Sequence, residues 1–193
     1  MVTIGLMSGQ DRQHWNLRYA AATLEARPSA WVVEHENLIR PRRANLRALD
    51  LACGTGQNSV YLARLGYRVD AWDISDVALE RLRAVLAAAG EALEVTPQWA
   101  DLDDSSIPPA TYDLVLDVNF LQRRLFRSMA EGLRPGGLLL VRALMRRPAG
   151  DDRTPAYLLE PGELSSAFGQ LHKLEYVEDV VEGWAALVAR DSS

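Results

Sequence analysis

The 193-residue chain has a single cysteine, Cys53. An intrachain disulfide is therefore impossible, and so is a metal site built from several thiolates. No uninterrupted apolar stretch approaches the about 20 residues that a membrane-spanning helix needs. Met1 to Gln10 has neither a positive start nor an apolar run, so no secretory signal is expected and the expected location is the cytoplasm. A basic surface is missing as well. The formal net charge is −5, which argues against non-specific binding to nucleic-acid phosphates. Internal repeats and low-complexity tracts are absent. With 48% hydrophobic residues, a chain of this length can bury a full core without staples, and a single domain over 1–193 is expected.

What is present is an alternation of patterns. Asp11 to Arg27 reads as a helix with Trp15, Tyr19 and Ala22 at helical spacing, ended by Pro28. Residues 29–45 show apolar groups, Trp31-Val32-Val33 and Leu38-Ile39, without a clear period; residues 1–45 together are assigned as an N-terminal helical cap. A strand (Leu46–Cys53) and a helix (Gln57–Leu65, closed by Gly66) follow. Next come a strand (Arg68–Ile74) and a helix that Ser75 caps and Gly90 stops, with Ala78, Leu82, Val85, Leu86 and Ala89 on its apolar face. Strands are expected over Glu94–Leu102 and Tyr112–Phe120, then a helix over Gln122–Leu133, a turn at Arg134–Gly137 and a strand over Leu138–Leu144. Arg146–Ala156 is a polar loop. Glu160–Phe168 reads as a helix with Pro161 in its first turn, and two strands, His172–Val181 and Trp184–Ala189, flank Gly183. The fold expected is α/β: a Rossmann-like, seven-stranded, mostly parallel sheet flanked by helices, with a C-terminal antiparallel hairpin.

In such a sheet, ligands bind beyond the carboxyl ends of the strands. The first strand delivers Asp50 and then a turn of small residues, Ala52, Gly54 and Gly56, which lets backbone approach a ligand closely. The turn opens a helix whose free N–H groups can receive an anion. Asp73 ends the second strand, where a carboxylate can accept hydrogen bonds from both ribose hydroxyls. A nicotinamide site uses the same logic, but its fingerprint needs a third glycine or alanine. Counting from Gly54 and Gly56 puts Ser59 there; counting from Ala52 and Gly54 puts Gln57 there.

Leu49-Asp50-Leu51-Ala52-Cys53-Gly54-Thr55-Gly56-Gln57-Asn58-Ser59 resembles motif I of the class I S-adenosylmethionine-dependent methyltransferases. Asp73-Ile74-Ser75, Ala100-Asp101-Leu102, Tyr112-Asp113-Leu114-Val115-Leu116 and Leu133-Arg134-Pro135-Gly136-Gly137 resemble its later motifs, in order. The resemblance spans roughly residues 11–190 and is far more specific than one glycine-rich loop. It implies S-adenosyl-L-methionine as cofactor and S-adenosyl-L-homocysteine as product. The implied cofactor residues are Asp50, Ala52, Cys53, Gly54, Gly56, Asn58, Asp73, Ile74, Asp101, Leu102 and Asp117. Of these, Asp50 belongs near the amino-acid end, Asp73 with the ribose, and Asp101 and Leu102 with the adenine. A narrower likeness to tellurite-resistance-type methyltransferases rests on Trp15-Asn16-Leu17-Arg18-Tyr19, on Tyr157-Leu158-Leu159-Glu160-Pro161-Gly162-Glu163-Leu164 and on Tyr176-Val177-Glu178. That branch often has histidine after the fourth strand, where this chain reads Asn119-Phe120-Leu121-Gln122-Arg123-Arg124.

The methyl acceptor is expected to be a small molecule. Trp15, Tyr19, Asn119, Arg123, Arg124 and Arg146 are the candidate substrate residues, because segments at this end of a sheet carry substrate contacts. No general base stands out, which favours a thiol, an amine or a chalcogen oxyanion over an alcohol. Cys53 has no histidine near it in sequence and reads as a packed thiol. No metal site is expected. Two rivals share the pattern: a non-catalytic S-adenosylmethionine-binding protein and a nicotinamide oxidoreductase.

Overall fold

A computed structural model describes residues 7–21, 27–147 and 157–192. The strands form a seven-stranded, mostly parallel sheet with helices between them, as the alternation predicts. Two compact units divide the chain, Met1–Ser105 and Ser106–Ser193.

The first unit contains α1 (Met7–Ala21), α2 (Ala30–Glu34), α3 (Glu36–Ile39), β1 (Arg47–Leu51), α4 (Gln57–Leu65), β2 (Arg68–Asp73), α5 (Asp76–Ala88) and β3 (Val95–Trp99). Its strands run β3-β2-β1, all parallel, with Asp50 beside Ala71 and Asp73 beside Trp99. Alternation along β1 and β2 sends Ala71 to the face where Val60 of α4 and Leu79 and Leu82 of α5 close over it, with Cys53 in the same cluster. Leu79 joins the buried face of α5, whereas Val85, which the apolar period assigned to that face, is 39% exposed. The third strand is shorter than expected and stops at Trp99. It carries Pro97, which has no N–H for the ladder and is tolerated because β3 ends the strand order. The undetermined stretch 29–45 holds two short helices, anchored by buried Trp31, Val32 and Ile39.

The second unit contains β4 (Tyr112–Val118), a 3-10 helix (Arg123–Leu125), α6 (Phe126–Glu131), β5 (Leu133–Leu144), α7 (Glu163–Ala167), β6 (His172–Asp179) and β7 (Trp184–Arg190). The strand order is β4-β5-β7-β6; β4 and β5 are parallel, and β7 is antiparallel to both its neighbours. Two expectations are corrected here. The helix expected over Gln122–Leu133 is instead a 3-10 turn and the short α6. Gly132 ends it where a Cβ would strike Ile107 and the Ser128 carbonyl, and Leu133 takes a ladder position beside Tyr112. The helix expected from Glu160 begins at Glu163, because Gly162 is in the left-handed region (φ 77°), which leaves Pro161 ahead of the helix. Residues 22–26 of the expected first helix, Ala22 among them, and residues 148–156 of the Arg146–Ala156 loop lie outside the described residues.

Ser75 caps α5 as its sequence position predicts: its Oγ accepts the Ala78 N–H at 3.1 Å. Ser75→Ala should therefore lower unfolding free energy by about 1 kcal/mol, and Ser75→Thr, which keeps the hydroxyl, should restore most of it. Urea denaturation of the three proteins measures this; equal midpoints would contradict the capping role.

Candidate functional site

The turn after β1 places three of its residues in the left-handed region: Ala52 (φ 49°), Gly54 (φ 56°) and Gly56 (φ 80°). Ala52 is uncommon there for a residue with a Cβ. A Cβ on Gly56 would collide with Leu82, and one on Gly54 would lie 2.6 Å from the Tyr19 hydroxyl. Close approach, not chain flexibility, is what both glycines provide. Cys53 fastens the turn to β2 through its N–H on the Trp72 carbonyl (3.0 Å).

Two carboxylates lie beneath this turn. Asp73, only 4% exposed, accepts the Gly54 N–H at 2.8 Å on one oxygen and the Ser75 N–H at 2.7 Å on the other. Asp50, 1% exposed, accepts the Ser59 hydroxyl at 2.5 Å. Among the described residues neither has a cationic partner. Burial pushes the Asp50 carboxyl up to about 7; the Ser59 hydroxyl opposes this, and the charge of Asp73 adds to it. Burial also raises Asp73, against the backbone N–H groups of Ser75, Gly54 and Ile74. The Cys53 thiol is raised by burial and by both carboxylates, which leaves it protonated and a poor nucleophile.

Helix α1 packs on α5 and on the turn. Asn16 Oδ1 accepts the Ser75 hydroxyl (2.6 Å) and the Val77 N–H (3.4 Å); Arg81 donates to the Ala20 carbonyl (3.1 Å); Arg12 pairs with Asp76. The Trp15 ring lies 5.9 Å from that of Tyr19, whose phenol faces Gly54. Burial, then Asp73, Cys53 and Asp50, push the Tyr19 phenol up, so it stays a donor. Beyond β3, the Ala100 N–H donates to the Asp73 carbonyl (3.0 Å), and Asp101 closes a turn by accepting the Asp103 N–H (3.0 Å), with Leu102 buried. Trp99 donates its indole N–H to the Ile74 carbonyl (2.9 Å) while Arg12 lies over its ring.

The carboxyl ends of β1 to β3 thus gather Asp50, Ala52, Cys53, Gly54, Gly56, Asp73 and Ile74, with Asp101 and Leu102 just beyond β3. Asn58 serves another purpose: its Oδ1 accepts the Ser29 N–H (2.9 Å) and ties α4 to the start of α2. In the second unit, Asp117 is buried near the end of β4, and Asn119 is exposed and left-handed (φ 64°), with its N–H on the Arg142 carbonyl. Arg123 is bound to Glu163 through two nitrogens (2.5 and 2.9 Å) and to the Leu158 carbonyl (2.8 Å). Arg146 pairs with Glu160 at 2.9 Å. Arg124 is exposed and has no ion-pair partner among the described residues. Sequence reasoning missed Asn16, Ser59 and Trp99 as members of the site; Ser59 stands where the nicotinamide fingerprint would have its third small residue, the one available signal. Among the described residues no cluster of three His, Cys, Asp or Glu side chains could hold a metal, and no helix is long and apolar enough to cross a membrane.

The raised Asp50 has a consequence for stability. The folded chain holds a proton there up to about pH 7 that the unfolded chain releases near 4, so burial of this group removes stability as pH climbs from 4 to 7. Asp50→Asn keeps an acceptor for Ser59 and has no charge to desolvate. Its stability advantage over the parent protein should grow between pH 4 and 7 and level off above. Urea titrations at several pH values measure it; a difference independent of pH would contradict the assignment.

Residues 48–137 match the family model described as a methyltransferase domain. A probable S-adenosyl-L-methionine-dependent methyltransferase TehB of Haemophilus influenzae is 28% identical over 159 residues, 78% of this chain and 53% of that protein. The chain therefore spans about half the length of this curated relative. The crystal structure of TehB from Haemophilus influenzae superposes with a TM-score of 0.72 at 23% identity, over 93% of this chain and 66% of that one. A structure titled as the [4+2]-cyclase SpnF also reaches 0.72, at 19% identity over 95% and 96% of the two chains. Residues 48–137 are therefore similar to a methyltransferase domain, and the chain shares the fold of the TehB structure.

Proposed function

We propose that this protein binds S-adenosyl-L-methionine at the turn after β1 and transfers its methyl group to a small-molecule acceptor. The observation that carries the reading is the Asp73 carboxylate, which holds the Gly54 amide and the first residue of the α5 cap together at the carboxyl end of the sheet. The residues fit that cofactor. Gly54 and Gly56 leave a cradle that a Cβ would fill, and buried carboxylates without a cationic partner suit a ligand carrying positive charge. In this reading Asp73 turns its remaining lone pairs to the ribose hydroxyls, Ile74, Asp101 and Leu102 border the adenine, and Ala52, Cys53 and Asp50 border the amino-acid end. Asn58 acts indirectly, by holding α4 in place. The domain is 1–193, with 1–45 as the cap, working in the cytoplasm.

When bound, S-adenosyl-L-methionine supplies an electrophilic methyl group on a sulfonium. What the chain supplies is position and dryness: α1, with Trp15 and Tyr19, covers the turn and excludes water. Alignment of donor and acceptor can contribute up to about 7–11 kcal/mol in model reactions. Arg123 and Arg146 are already offset by Glu163 and Glu160, which favours a thiol or an amine over a chalcogen oxyanion as acceptor; Arg124 and Asn119 remain as side chains for it. A rival reading, binding of the cofactor without methyl transfer, draws on the SpnF likeness, since that fold also carries a cyclase.

Asp73→Ala should weaken S-adenosylhomocysteine binding by about tenfold to a hundredfold, the worth of two hydrogen bonds to a charged acceptor. Calorimetry on a variant shown to be folded decides it, and parent-like affinity would sink the ribose assignment. A coupled assay for homocysteine against thiols, amines, selenite and tellurite should give turnover with a thiol or amine. Cofactor binding with no turnover on the whole panel would favour the rival.

A further inference from the structure

Two other acids among the described residues have arginine partners. Asp113, also buried, is held by Arg134 at 2.8 Å, and half-buried Asp70 by Arg47 at 2.7 Å. Asp50 and Asp73 have no cationic partner among the described residues. They receive the Ser59 hydroxyl and backbone N–H groups, all neutral donors. Among the first unit's described residues, the titratable groups facing Asp50 are Asp73 at the end of β2, Cys53 in the turn and Tyr19 on α1, and each of the three is neutral or negative; Ser59 of α4 supplies its hydroxyl. The two buried carboxyls lie in a low-dielectric region where no cationic side chain among the first unit's described residues pairs with them. A carboxylate in such a place is driven either to hold a proton or to await a cation.

We propose that Asp50 and Asp73 set a preference for the sulfonium form of the cofactor over its thioether product, with Asp50 giving up a proton to solvent when the cationic form binds. This rests on the function proposed above and adds to it what the site does with charge. S-adenosylmethionine and S-adenosylhomocysteine share the adenosine, the ammonium and the carboxylate. They differ by one methyl group and one positive charge. A site whose buried carboxyl can become negative therefore separates them by that charge. After methyl transfer the positive centre is gone, Asp50 takes a proton back, and the site's hold on the product weakens. Product release then follows from the reaction itself.

The test is calorimetry of both ligands between pH 5 and 7, where the ligand ammonium stays protonated. Affinity for S-adenosylmethionine should rise with pH by up to about tenfold per unit, the limit for one proton, while affinity for S-adenosylhomocysteine rises less. Paired buffers of different ionisation enthalpy should show more proton release with the sulfonium form. Asp50→Asn should flatten the first profile and reduce the affinity ratio of the two ligands at pH 7 by about three- to tenfold. If that variant fails to fold, Ser59→Ala serves: losing the donor that favours the charged carboxylate, it should move the rise to higher pH. Parallel profiles for the two ligands, or an unchanged ratio in the variants, would overturn this inference alone. No binding of either ligand at any pH would overturn the cofactor reading and this inference with it.

Discussion

Everything at the carboxyl end of the first unit depends on where the Asp73 carboxylate puts its two oxygens. One fixes the Gly54 amide and so the path of the turn; the other fixes Ser75 and so the start of α5. Ser75 in turn passes its hydroxyl to Asn16, which brings α1 down over the turn and sets the Tyr19 phenol against Gly54. A strand end, a loop, a helix cap and a covering helix are thus linked through one side chain. Such a network holds its shape only when each member is satisfied. Glycine at 54 is required twice over, by its left-handed backbone and by the space the phenol takes.

The same arrangement is electrostatically unbalanced. Burial of two carboxylates among neutral donors works against folding, and the chain has arginines enough to have paired them, as it does for Asp113. Leaving them unpaired makes sense if a positive ligand completes the site. Conversely, Arg123 and Arg146 look in the sequence like hands for an anion, but each is joined to a glutamate. Under the proposed function, this arrangement of charge suits a cationic donor and an acceptor without strong negative charge.

Much of this was legible in the residues. Helix α4 has the bounds its apolar period and Gly66 predict, and Ser75 caps α5 as a serine ahead of an amphipathic run should. The glycine-rich turn, Asp50 and Asp73 were legible because local spacing alone specifies them. The misses have a common cause in contacts distant in sequence. Leu125, Phe126, Met129 and Leu133 have helical spacing, yet Leu133 is claimed by the ladder with Tyr112. Asn58 sits inside the motif but spends its oxygen on Ser29. The pairing of Arg123 with Glu163 and the hydroxyl of Ser59 under Asp50 are decided by folding, and no local pattern announces them.

The central claim is that the ligand site is the turn and strand ends organised by Asp73. Hydrogen–deuterium exchange with and without S-adenosylhomocysteine tests it most directly. The account predicts slowed exchange in peptides covering residues 52–58 and 73–79, with α1 following as it closes on the turn. Saturating ligand that leaves those two segments unchanged, or protects only segments remote from them, would contradict it.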